Sequence, residues 1–280
     1  MTRWTANSLV RAGVSSAPGR FALRVARDLA SISLIDRGMT IAAHVFTSIL
    51  PILIVAGALR SRLDPQTGPI FAEHLGLDVP TADILEKSLP GGAQELRATG
   101  VIGLILLVIA ATSFARALER SLRTIWRTPS VSIKFAWRWL VALAAVVAGL
   151  GLVVSARILV VGGGLVAVVE FIIEVVLWSG LWWLTSWIVV NRRVSLQQLL
   201  PGCVLAGIGF SVAGLVGKSF LPPLLADSAT RFGVLGMAFT YIGWLLVLAC
   251  ILLIATTIGR VVYLTYTGQA WRRHPADVRA

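Results

Sequence analysis

Two carboxylates, Glu170 and Glu174, stand one helical turn apart inside an apolar run, and Arg157 precedes them across the glycine cluster 162–164. Charge placed in hydrocarbon costs about 2.5–3.5 kcal/mol per group on insertion scales, so it persists where it pairs or where it meets an ion or a headgroup. Arg157 can reach one of these carboxylates across the turn, which makes either a self-contained ion cluster or a polar entrance. His44, Thr47 and Ser48 precede Pro51 in another apolar run. Proline removes a backbone hydrogen bond and is expected to kink that helix, and an imidazole beside hydroxyls would suit a polar cavity. A histidine bonded to a neighbouring helix is the plainer expectation. Arg116, Arg120, Arg123 and Arg127 are spaced by four, three and four residues. On a helix they lie within about 60° of one another, opposite Phe114, Leu118, Leu122 and Ile125. Such a guanidinium stripe could grip nucleic acid, face anionic lipid, or mark one side of a membrane.

Other chemistries lack their residues. The three histidines, His44, His74 and His274, fall in separate regions and share no motif. Metal-dependent hydrolysis needs clustered ligands, so neither a metal centre nor a nuclease is expected. There is no phosphate-binding glycine loop for ATP-driven work. No enzyme activity and no cofactor are expected. Cys203 and Cys250 lie in apolar segments and read as free thiols.

The elements that would hold these residues follow from hydropathy. The chain is 280 residues long, 57% hydrophobic and 14% charged, with a mean hydropathy of +0.84. Soluble domains are about 25% charged, so the composition points to an integral membrane protein. Six apolar runs are long enough to cross about 30 Å of hydrocarbon as helices: 38–59, 100–118, 135–161, 165–190, 199–217 and 232–259. Strands would alternate in hydrophobicity over about 10 residues, and these runs do not. The expected fold is therefore an all-α integral membrane protein of six transmembrane helices. A cytoplasmic segment, 1–37, precedes the 38–259 bundle, whose outer loop is 60–98, and a cytoplasmic tail, 260–280, follows it.

The net charge of +12 would suggest nucleic acid in a soluble protein, but here it sorts by side. Arg3, Arg11, Arg20, Arg24, Arg27, Arg37, the arginine stripe, Lys134, Arg138, Arg192, Arg193, Arg260, Arg272, Arg273 and Arg279 fall on one side of the six-span arrangement. Asp64, Glu73, Asp78, Asp83, Glu86, Glu95, Glu170, Glu174 and Asp227 fall on the other. The positive-inside rule gives both termini in the cytoplasm and no nucleic-acid partner. The stripe then faces anionic headgroups of the inner leaflet, worth roughly 1 kcal/mol per basic residue, pairs with other cytoplasmic segments, or marks the cytoplasmic side without a specific ligand. Phe21, Val25, Leu29, Ile32 and Ile35 form an apolar stripe with Arg20, Arg24 and Arg27 off it, as in an N-terminal amphipathic helix lying on that leaflet.

Gly202, Ala206, Gly209, Ala213 and Gly217 form a smooth ridge on the fifth span, suited to close helix packing, with Pro201 in its first turn. Lys218, Asp227 and Arg231 flank a Pro222–Pro223 turn expected between spans five and six. The outer segment 60–98, with helix candidates "PIFAEHLG" and "PTADILEKSL", is longer than a plain connection needs and suits a cap or a docking surface.

The segments "AAHVFTSILPILIVAGAL", "FARALERSLRTIWR", "LLPGCVLAGIGFSV" and "FGVLGMAFTYIGWLLVLACILLIA" occur in that order. Together, over roughly 35–262, they resemble the YihY/BrkB family of bacterial inner-membrane proteins, whose early members were once labelled ribonuclease BN. The resemblance implies six spans with both termini inside and a role in the cell envelope. It supplies no catalytic residues.

The leading expectation is a cytoplasmic-membrane protein that moves, or helps move, a lipid or other amphiphile within the envelope. His44, Ser48, Arg157, Glu170 and Glu174 would form the headgroup path, and Arg116, Arg120, Arg123 and Arg127 would gather anionic lipid. Pro51 and the small-residue ridge would shape the helices. The alternatives are a non-transporting scaffold, as a homo-oligomer or with an envelope partner, and a small-solute or ion transporter.

Overall fold

The computed structural model describes residues 17–63, 93–128, 164–190 and 194–267, with parts of 141–155. The regular structure among them is helical. α1 (Ala17–Ser31), α2 (Leu34–Leu63), α3 (Ala93–Trp126), α4 (Leu165–Val189) and α5 (Leu196–Tyr266) follow in chain order. Among the described residues, three stretches are long and apolar enough to cross a membrane: Val101–Trp126, Leu165–Val189 and Leu196–Tyr266. The expected first span, 38–59, lies on α2, which continues as one helix through Pro51. The expected third span, 135–161, falls mostly outside the described residues. Those described between 141 and 155 are helical, and Gly149 there approaches the Leu181 side chain of α4.

α5 corrects the expected boundary between spans five and six. No turn forms at Pro222–Pro223, because both prolines lie inside the helix. The reversal is at Gly233, with φ 62 and ψ −146. Proline's fixed φ is compatible with a helix, whereas this left-handed conformation is open to glycine and strained for other residues. The arms, 196–232 and 234–266, run antiparallel, each about 50 Å long at 1.5 Å per residue. Ser228 and Thr240 join their hydroxyls at 2.7 Å near the reversal. α5 also starts earlier than expected. Ser195 and Gln198 form a reciprocal capping box, which satisfies two otherwise orphaned donors. Pro201 therefore sits in the second turn, not the first.

The small residues of the first arm are shared between two neighbours. A methyl on Gly202 would meet Thr256 Cα at 3.1 Å, one on Gly209 Ile251 Cγ2 at 2.5 Å, and one on Gly217 the Trp244 ring at 2.9 Å. Those three glycines serve the hairpin. Gly207, which the expected ridge omitted, lies against Ser179 and Val175 of α4. Ala206 and Ala213 are buried.

Burial is polarised along the bundle. The most deeply buried large side chains are Leu118, Leu122, Val190, Leu199, Leu253 and Val261, all at the end that carries the arginines. Toward the opposite end, Val101, Ile105, Ile109, Val168, Ile172 and Phe239 are exposed. A water-soluble protein does not leave apolar surface on this scale uncovered, and hydrocarbon is its natural solvent. α1 differs from expectation in one respect. It ends at Ser31, and Ser33 takes φ 51 in the turn to α2, so Ile35 leaves the apolar stripe and is exposed. Ile32 and Leu29 join the bundle core, so α1 gives part of its apolar face to the protein.

Candidate functional site

The basic end gathers four elements around a few charged groups. Asp28, on the inner face of α1, accepts from Arg260 Nη1 of α5 at 3.0 Å and lies 3.7 Å from Arg127 Nη2 just past α3. Arg260 is only 8% exposed. Arg123 lies 3.7 Å from Glu119, one turn back on α3, and donates Nε to the Thr128 carbonyl at 3.4 Å. Arg37, at the start of α2, donates Nε to the Ile32 carbonyl at 2.6 Å and Nη1 to the Arg120 carbonyl at 3.4 Å. Arg120 is exposed and returns its own Nε to the Arg116 carbonyl at 3.4 Å. Arg116 is exposed, 3.4 Å from the Ser113 hydroxyl. Arg37, Arg120, Arg123, Thr124, Arg127 and Thr128 line an open concavity of about 350 Å³.

The backbone is held in an unusual way around this concavity. Arg127 takes φ 52, a left-handed conformation in a residue other than glycine, where the cost is of order 1–3 kcal/mol. The Arg127 and Thr128 amides donate back to the Thr124 and Arg123 carbonyls at 3.4 and 3.1 Å, so the helix end is closed. The expected stripe thus divides. Arg120, Arg123 and Arg127 share the concavity, and Arg116 lies outside its lining. Arg37 and Asp28 were not singled out from the sequence. The visible signal for Asp28 was a single acid within an otherwise basic amphipathic helix.

A second polar region runs between α4 and the first arm of α5. Glu170 Oε1 lies 3.8 Å from Lys218 Nζ. Glu174, one turn further, is 4% exposed. Beyond it, Trp178 and Trp182 flank Phe210, with ring centroids 4.9 and 5.1 Å away. The indole nitrogens of Trp178 and Trp182 and the hydroxyls of Thr185 and Ser211 are buried without a hydrogen-bond partner among the described residues. Thr185 and Ser211 are fully buried. Glu174, Trp178, Trp182 and Thr185 are spaced by four, four and three residues, so they share one face of α4. From Glu170 to Ser186 this face extends about 24 Å, most of the thickness of a hydrocarbon core. The sequence reading found the two glutamates and missed Ser211, Thr185 and Lys218 as members of the same seam.

The remaining candidates are dispersed. Arg157 lies outside the described residues, as does the outer segment over 64–92. His44 is half-buried on α2, and its carbonyl accepts from the Ser48 hydroxyl at 2.7 Å and from Thr47 at 3.1 Å. α2 packs on α3 and α5 rather than on α4, so His44 and Ser48 do not join the glutamates. Cys203 and Cys250 are free thiols. Among the described residues no three His, Cys, Asp or Glu side chains are grouped to hold a metal ion.

No solved structure matches the chain. The family model described as Virulence factor BrkB matches residues 27–277, from the inner face of α1 to beyond the end of α5. This is not a known enzyme family. A match over nearly the whole length, on a helical fold with long apolar helices, establishes that the chain is a membrane protein of the YihY/BrkB family.

Proposed function

We propose that this protein moves, or helps move, an amphiphile across or within the bacterial cytoplasmic membrane, with six crossings and both termini in the cytoplasm. The observation that supports this reading most is the seam between α4 and α5. A buried hydrogen-bonding group left without a partner costs about 1–3 kcal/mol, and in hydrocarbon no water is at hand to relieve it. Four such groups lie along the α4–α5 packing, beyond the buried Glu174 and the Glu170–Lys218 pair. A headgroup passing along this line would satisfy them in turn. Its acyl chains would stay outside, against the apolar exposed faces of α4 and α5 such as Ile172, Val176, Val212 and Val216.

The two ends of the molecule suit different tasks in this reading. The basic end collects amphiphiles from an anionic leaflet and is closed by the core. The opposite end leaves its apolar faces in lipid. Reconstitution into liposomes carrying a fluorescent phospholipid tests the reading. Accelerated loss of fluorescence to an outside quencher, relative to protein-free vesicles, is the expected result. Exchange at the protein-free rate, with and without an imposed ion gradient, would overturn it.

A further inference from the structure

We propose that the concavity lined by Arg37, Arg120, Arg123, Thr124, Arg127 and Thr128 is a binding site for one phosphate group, monoester or diester. The inference rests on the proposed function for its membrane setting, and it names the chemistry that the basic end selects. Four guanidinium side chains from two helices line a single space of about 350 Å³. Two are already matched to carboxylates, Arg123 to Glu119 and Arg127 to Asp28. Arg37 and Arg120 bond backbone carbonyls, and among the described residues neither has a carboxylate within ion-pair distance. Asp28 is itself shared with Arg260, so the site carries an excess of at least about two positive charges, enough to balance a phosphate monoester or diester.

A helix C-terminus by itself repels anions. Here part of the helix end is covered, since the Thr124 and Arg123 carbonyls accept from the Arg127 and Thr128 amides. Arg37 and the Thr124 hydroxyl both bond the Arg120 carbonyl, and Arg123 bonds that of Thr128. The helix end is thereby partly screened, while each guanidinium keeps further N–H groups for a ligand, since it has five donors in a planar fork. The Thr128 hydroxyl, without a hydrogen-bond partner among the described residues, adds a short donor to the lining. Two left-handed residues, Ser33 and Arg127, lie at the turns next to this lining, and backbone strain of this kind persists where surrounding contacts over-determine it. Asp28 shows the same corner holding an anion from within the chain, with one oxygen toward Arg127 and the other toward Arg260.

Phosphate in this place has two sources, a lipid headgroup or a free phosphate. The full chain in detergent, examined by native mass spectrometry with added phosphatidic acid, phosphatidylglycerol or phosphatidylcholine, measures adduct formation directly. We expect phosphatidic acid to bind most strongly and phosphatidylcholine least. Arg37→Gln and Arg120→Gln should each weaken the anionic adduct roughly tenfold, and Arg120→Lys should recover only part of it, because a point charge replaces the fork. Arg231→Gln, which loses the same charge beside Asp227, should leave it unchanged. Millimolar inorganic phosphate that displaces the lipid assigns the site to any phosphate, and failure to displace it assigns the site to headgroups; either supports the site. Equal weakening by Arg231→Gln, or no weakening by Arg120→Gln, would overturn it. Circular dichroism of each variant identifies loss of fold. Phosphate binding that survives while leaflet exchange is absent would refute the transport reading and leave this site standing.

Discussion

Asp28 and Arg260 meet at 3.0 Å although 232 residues separate them in the chain. This contact fastens the amphipathic α1 to the last turns of α5. Arg127 approaches the other oxygen of the same carboxylate, so α1, α3 and α5 share one acid. Replacing Asp28 by Asn leaves the largely buried Arg260 without this carboxylate. A lost hydrogen bond to a charged group costs about 1–3 kcal/mol. Asp28→Asn should therefore lower the melting temperature and raise amide hydrogen exchange over 17–31, with little change in α4.

The glycine contacts of the hairpin predict a graded response. A methyl on Gly259 would collide with the Gly202 backbone, which cannot swing aside as a side chain can. Gly243 has open space around the same position. Gly259→Ala should destabilise the protein by about 1–3 kcal/mol or prevent folding. Gly243→Ala, in the same arm, should be neutral or slightly stabilising through helix propensity. Thermal melts in one detergent compare the two.

How much of this was legible beforehand depended on the range of the interaction. Apolar runs with few charges fix helices in lipid through backbone hydrogen bonding alone, so the all-helical architecture could be read from hydropathy. The small-residue ridge was legible as a packing surface because glycine spacing is local. Its division between the second arm and α4 was not, since Gly207 and Gly209 differ only in which neighbour lies opposite. The position of the hairpin was misread because Pro222–Pro223 looks like punctuation, while a lone Gly233 among apolar residues carries little signal. The partners of Asp28 come from α3 and α5, and no spacing rule links them. The arginine stripe was visible, but its sharing between a cavity and internal acids depends on tertiary contacts.

Unpartnered groups in the α4–α5 seam predict a trade of stability against function. Thr185→Val and Ser211→Ala remove buried hydroxyls that have no partner among the described residues, and relieving such a group stabilises by about 1 kcal/mol. Both variants should melt at or above the parent temperature while exchanging lipid more slowly. Lower melting temperature together with unchanged exchange would show that the hydroxyls serve packing alone.

The pair between Glu170 and Lys218 should contribute little to folding. Lys218 is about half exposed and the separation is 3.8 Å, so the pair is worth about 0–1 kcal/mol. Lys218→Gln should leave the melting temperature nearly unchanged. If the pair guards the seam, the same variant alters the preference for anionic over zwitterionic lipid in the exchange assay.

The central claim is that a polar path runs between α4 and α5, and thiol chemistry at Ser211 tests it most directly. With Cys203 and Cys250 replaced by Ala, Ser211→Cys carries a single thiol in the seam. A water-soluble methanethiosulfonate reagent should modify it in proteoliposomes and slow lipid exchange. A thiol that stays unmodified while exchange proceeds at the full rate would contradict the account.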